Sequence, residues 1–174
     1  MRYGGIVHVH SFPAIADGNA SILILGTMPG KASLRAGQYY AHERNAFWGI
    51  IAALFGVPAT APYVERGARL RAQGIALWDV LQSCRRESSL DSDIVPESIV
   101  PNRIADFLRE HPRVRWIYFN GASAETLYMR HVRPLLDDGR SGLSYTRLPS
   151  TSPANARLTA AAKLERWSVI RHAT

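Results

Sequence analysis

Cysteine is nearly absent from this chain: Cys84 is the only one in 174 residues. A lone thiol excludes an internal disulfide and any multi-cysteine zinc or iron–sulfur centre, and it fits a reducing compartment. Lysine is almost as scarce, with Lys31 and Lys163 alone, so arginine carries nearly all of the positive charge. No apolar run approaches the roughly 18 residues of a membrane span, and the opening MRYGGIVHVH lacks the apolar stretch of a signal peptide. His8 and His10 alternate in a strand-like segment, but no cysteine or carboxylate cluster accompanies them, so they read as surface histidines. These absences predict a cytoplasmic protein with no metal, no cofactor, no membrane partner and no evident obligate protein partner.

What the chain does have is a core-forming composition, 47% hydrophobic, and a surplus of positive charge. Lys+Arg of 21 against Asp+Glu of 14 gives a net +7, and the sequence pI is near 10.1. Such a balance suggests a polyanionic partner, although a merely basic soluble protein would look the same. Arginine suits the first reading, because its planar guanidinium forks onto phosphate and stacks on bases.

Residues 22–48, ILILGTMPGKASLRAGQYYAHERNAFW, organise the rest. The apolar run Ile22 to Leu25 breaks at Gly26 and at Pro29-Gly30, so it reads as a buried strand delivering a tight loop. GTMPGK superficially matches a P-loop. A P-loop needs four residues between its glycines and Ser or Thr after the lysine, whereas here only Thr27-Met28-Pro29 intervene and Ala32 follows Lys31. The dinucleotide fingerprint G-x-G-x-x-G is also missing. The loop remains one whose backbone N–H groups, at Gly26 and Gly30, can approach a planar or anionic ligand closely. Asn45, just before the apolar Ala46-Phe47-Trp48, is placed to cap a helix.

The same alternation continues along the chain. An apolar helix-length segment runs from Ala46 to Phe55, a second helix from Tyr63 to about Gln73 exposes Arg66, Arg69 and Arg71, and IALWDV forms a second strand whose C-terminal end carries Asp79. Residues 82–98 read as a long polar loop with Arg85-Arg86 near its start, set to contact phosphates or solvent. A helix opening at Pro101-Asn102 runs to Glu110, a third strand spans Val114 to Asn120, and Gly121-Ala122 starts another helix. A fourth strand, Ser144 to Leu148, feeds PSTSPANA, and a helix from about Leu158 to Arg171 closes the chain. This order predicts one α/β domain over 1–174, with an N-terminal arm over 1–20. Its architecture would be a three-layer α/β/α sandwich around a central, mainly parallel four-stranded sheet, with ligand at the strands' C-terminal edge.

Strand-G-T-M-P-G followed by Y-Y-A-H-E-R-N-A-F-W resembles the first motif of the uracil-DNA glycosylase superfamily, and most closely its hypoxanthine (deoxyinosine) branch, near the mismatch-specific uracil glycosylases. Pro149 to Ala156 resembles the family's Ser-Pro loop. The resemblance covers about Ile22 to Ala162. It implies a monofunctional DNA repair enzyme that hydrolyses the N-glycosidic bond of uracil or hypoxanthine flipped out of DNA, leaving an abasic site. The other reading it permits is a nucleic-acid-binding domain of this fold without chemistry.

The resemblance also distributes roles. Asn45 matches the asparagine that holds the attacking water, with helix capping alone as the plainer alternative. Gly26, Thr27, Met28, Tyr40, Phe47 and Asp79 would receive the base: Thr27 and Met28 through backbone N–H groups, Tyr40 or Phe47 as a stacking platform, and Asp79 as a reader of its edge. Core packing for the aromatics and a turn cap for Asp79 are the plainer alternatives. Lys31, Ser150, Ser152, Pro153, Ala154, Asn155, Ala156 and Arg157 would contact DNA or wedge into it. Two departures stand out: Glu43 replaces a frequent proline, and Ser150 lies where many relatives carry a histidine that stabilises the departing base.

Overall fold

A computed structural model of the chain describes residues 5–136 and 142–173. Strand β2, Ile22–Gly26, lies at its middle because every residue in it is apolar or glycine, and each is buried. It pairs in parallel with β3 (Ile75–Asp79) on one side and β6 (Trp116–Asn120) on the other, and β7 (Ser144–Leu148) extends the sheet beyond β6. Continuous apolar strands of this kind suit a parallel sheet covered on both faces.

Side-chain alternation divides the apolar residues between two cores. Leu23, Leu25, Ile117 and Phe119 face α4 (Ile104–Glu110) and α5 (Ala122–His131). Ile22, Ile24, Ile75 and Leu77 face α2 (Phe47–Phe55), α3 (Tyr63–Ala72) and α6 (Ala160–Trp167). The layers are therefore α/β/α around a four-stranded parallel sheet, as the sequence predicts. Among the described residues no helix is long and apolar enough to cross a membrane.

Several local expectations are corrected. Residues 82–98 are not one loop: β4, Leu81–Arg86, pairs antiparallel with β1 (Val7–His10) and β5 (Val100–Pro101) in a second, three-stranded sheet. Its apolar pattern is hidden because small or charged residues, Ser83, Cys84 and Arg86, take the buried positions. The N-terminal arm is tied down by β1 and by an Ile15–Leu77 bridge, with residues 1–4 of that arm outside the described ones. Pro101 and Asn102 do not open α4. The Asn102 amide instead donates to the carbonyls of Asp79 and Leu81 and fastens the β3–β4 corner. The final helix is shorter than expected, giving way to a 3-10 helix at Ser168–Ala173, and a short helix α1, Lys31–Ala36, follows the glycine loop.

Candidate active site

The strand order β3-β2-β6-β7 reverses direction at β2, whose chain runs first to β3 and later reaches β6 on the opposite side. In open parallel sheets that switch point leaves a crevice at the carboxyl ends of the strands. A cavity of about 510 Å³ occupies it, bounded by the strand-end residues Gly26, Asp79 and Asn120. This volume falls in the usual range for small-molecule sites.

Gly26 is required by its neighbours. A Cβ there would lie 2.5 Å from Asp79 Oδ1 and 2.8 Å from the Tyr40 hydroxyl, so the two polar groups converge where a side chain would stand. Asp79 is buried, and the hydroxyl of Ser11, from the N-terminal arm, donates to its Oδ2 at 2.7 Å. That bond leaves Oδ1 for the cavity. Burial pushes the Asp79 carboxyl up to about 7, with the Ser11 bond and Arg86 pulling the other way. Tyr40 has the only positive φ among described non-glycine residues, +54°, a conformation unusual for a bulky side chain. Its hydroxyl is held in the protonated form by burial and the Asp79 charge, and it has no hydrogen-bond partner in good geometry among the described residues.

Phe47 is corrected: it does not line the cavity. It is fully buried and stacks beneath Tyr40 at 4.2 Å between ring centroids, so it supports the ring that does face inward. Tyr39 is likewise tethered, its hydroxyl donating to the Phe12 carbonyl. Asn45 lines the cavity, and its Oδ1 accepts the Phe47 N–H at 3.0 Å. The helix N-cap itself is Ala46, not Asn45 as expected; the Asn45 bond is a local turn bond that fixes the amide's orientation while Oδ1 keeps a second lone pair.

Thr27 and Met28 line the cavity and are buried, with the Gly26 and Thr27 carbonyls held by the N–H groups of Val80 and Leu81. The opposite wall is the loop 149–157, clamped from behind at successive peptides. Trp167 Nε1 donates to Pro149 O at 2.9 Å, Asn155 to Ser150 O, and Lys163 Nζ to Ser152 O at 3.3 Å. Asn120 bonds Thr151 twice, from Nδ2 to Oγ1 and from the Thr151 N–H to Oδ1, both at 2.8 Å. The Thr151 carbonyl in turn accepts the Ala46 N–H at 3.0 Å, which links this loop to the turn bearing Asn45. Asn120→Ala leaves buried groups of Thr151 unpaired and should cost about 2–3 kcal/mol in thermal or denaturant unfolding. A loss under about 0.5 kcal/mol would mean that the clamp contributes little.

Ser150, Ser152, Pro153, Ala154, Asn155 and Arg157 line the cavity, whereas Ala156 is exposed beyond it. Lys31, at the start of α1, and Arg157 are exposed on the rim, as phosphate contacts must be. Of the arginine pair expected to reach phosphate, Arg85 is exposed but Arg86 is buried and turned inward. Ser11, Asp91 and Asn120 join the site beyond the residues expected from the sequence, and the second lysine, Lys163, touches the Ser-Pro loop. Asn120 at a strand end before Gly121 gave a usable signal; Ser11 gave none.

Residues 12–171 match the family model of the uracil DNA glycosylase superfamily. A protein from Methanosarcina acetivorans named hypoxanthine DNA glycosylase is 36% identical over 164 residues, covering 92% of this chain and 97% of its own. One of the same name from Methanosarcina barkeri is 36% identical over 111 residues, 63% of this chain and 69% of its own. A solution NMR structure from Methanosarcina acetivorans, provisionally described as a uracil DNA glycosylase, superposes with a TM-score of 0.78 at 34% identity, covering 96% of this chain and 99% of that one.

Proposed function

Because the chain belongs to the uracil DNA glycosylase superfamily, we propose that it is a monofunctional DNA repair glycosylase that hydrolyses the N-glycosidic bond of a deaminated base, hypoxanthine or uracil, turned out of DNA. The observation that carries this reading is the convergence of Asn45, Asp79 and the Ser-Pro loop on one cavity at the sheet's switch point. A base inside a duplex is reached only by extrusion, and a rigid loop beside a closed-floored cavity suits that task. Asn45 holds water against C1′, the Thr27-Met28 backbone faces the departing base, Asp79 accepts its ring N–H, and Lys31 and Arg157 meet phosphate. The same cavity and the enzymatic names of relatives weigh against a binding domain without chemistry.

A duplex labelled on one strand and carrying a single deoxyinosine or deoxyuridine tests the reading. Incubation with the protein followed by hot alkali should break the strand at the lesion; an unbroken strand for both lesions counts against it. Strand cleavage by the protein itself, without alkali, is not expected. The chain has two lysines, Lys31 exposed on the rim and Lys163 buried against the Ser152 carbonyl, and neither is presented to C1′ as a Schiff-base nucleophile. Borohydride should therefore trap no covalent adduct, and efficient trapping lost in Lys31→Ala or Lys163→Ala would overturn the monofunctional assignment.

A further inference from the structure

We propose that Arg86 is the fixed cation that stabilises the negative charge left on the departing base, in place of the histidine that the PSTSPANA loop lacks. The inference rests on the glycosylase reading above. Arg86 ends β4 and is 1% exposed. Its Nη2 donates to the carbonyl of Pro29, and Pro29 and Gly30 themselves line the cavity, so the guanidinium sits one peptide behind the wall. Its Nη1 has no hydrogen-bond partner among the described residues, and none of their ion pairs involves it.

A buried cation without a direct ion pair is costly, and arginine does not escape the cost by giving up its proton. Neither of the acids that face the same cavity, Asp79 and Asp91, forms a direct ion pair with it. Burial pushes both Asp79 and Asp91 towards their neutral forms, even though Arg86 pulls each the other way. Hydrolysis supplies the missing anion. When the bond between C1′ and the base nitrogen breaks, its electron pair goes to the base, water adds to C1′, and the water's proton is released to solvent or to the base. A positive charge held in low dielectric behind the wall of the base's cavity favours that state over the neutral ground state. Arg86 does not touch the reacting atoms. It acts through space and through the Pro29 peptide it polarises.

A leaving-group comparison distinguishes this role from mere support of the loop. Single-turnover base release is measured on duplexes carrying a base and its more acidic fluorinated counterpart, uracil with 5-fluorouracil or hypoxanthine with 2-fluorohypoxanthine. Arg86→Met should slow the parent base by about 10- to 100-fold and the fluorinated base distinctly less, because the better leaving group needs less help. Arg86→Lys should keep the wild-type ratio of the two rates. Arg86→Gln, which keeps a donor for the Pro29 carbonyl without the charge, should behave like Arg86→Met. Equal slowing of both bases in Arg86→Met and Arg86→Gln would overturn the proposal. Should these variants not fold, the wild-type protein with abasic duplex should bind free 5-fluorouracil or 2-fluorohypoxanthine as the anion, with the base's ultraviolet titration shifted to lower pH than in water. No such shift would overturn it too. A wild-type protein that releases neither base would instead sink the glycosylase reading itself.

Discussion

Asn45→Ala is expected to release base about 10²–10³-fold more slowly than wild type while binding lesion-bearing DNA with similar affinity, because a group that acts only on the attacking water is removed. Its effect on folding should be small. The lost bond from the Phe47 N–H to Oδ1 is a local turn bond just ahead of the helix, worth about 1 kcal/mol, and Asn45→Asp, which keeps an acceptor there, should restore it. Single-turnover rates and melting curves separate the two contributions. A variant that loses about 1 kcal/mol of stability but releases base at the wild-type rate would reduce Asn45 to its turn bond.

The second large effect is expected at Asp79, and it has two parts of opposite sign. Uracil and hypoxanthine share an edge with a ring N–H beside a carbonyl, whereas cytosine and adenine present a bare ring nitrogen there. An ionised carboxylate accepts and cannot donate, so Asp79 bonds the deaminated bases and opposes the lone pair of the normal ones; unpaired buried polar groups give discrimination up to about 10⁴-fold. Asp79→Ala should lower activity on deoxyuridine and deoxyinosine together, and Asp79→Asn more mildly. Because the carboxyl titrates at about 7, activity that needs its ionised form should rise with pH through that value, and the step should vanish in Asp79→Asn.

Stability should move the other way. An acid whose pKa is higher folded than unfolded binds more protons in the native state between the ordinary carboxylate value of 3.8 and about 7, so native stability is fully present below that window and is lost as pH rises through it. Asp79→Asn should therefore melt higher than wild type at pH 8, by about 1–4 kcal/mol, and lose that advantage near pH 4. A variant equally active on both lesions and no more stable at pH 8 would make Asp79 a turn residue, and the reading of the base would have to come from Asn120 or from backbone alone.

Why part of this site could be read from the sequence and part could not follows from how each residue is held. Strands β2, β3 and β6 announce themselves by short apolar runs ending in glycine or a polar residue, and the mixed segment Ser144–Leu148 leads straight into PSTSPANA, so Gly26, Asp79 and that loop fall on one edge without knowledge of the fold. Asn45 is legible because its place just ahead of the apolar helix serves both a bond to the Phe47 N–H and a cavity-facing amide. Contacts between distant segments leave no local trace. Ser11 meets Asp79 across 68 positions, and Asn120 meets Thr151 across 31. Phe47 was ambiguous because two neighbouring aromatics, one facing the cavity and one behind it, have the same local pattern as two platform residues. Arg86 ran against expectation outright, since a charged residue in a polar stretch is normally solvated. Its burial follows from the pairing of β4 with β1 and β5, which the polar composition of 82–98 conceals.

Hydrolysis of an N-glycosidic bond is the central claim, and the products distinguish it from any cut in the sugar–phosphate backbone. Wild-type protein incubated with a deoxyinosine duplex, and separately with a deoxyuridine duplex, should release free hypoxanthine or uracil, quantified by chromatography with mass detection, in amounts equal to the abasic sites left in unbroken strands. A strand broken before alkali with no free base in solution, or no free base from either duplex, would contradict the account.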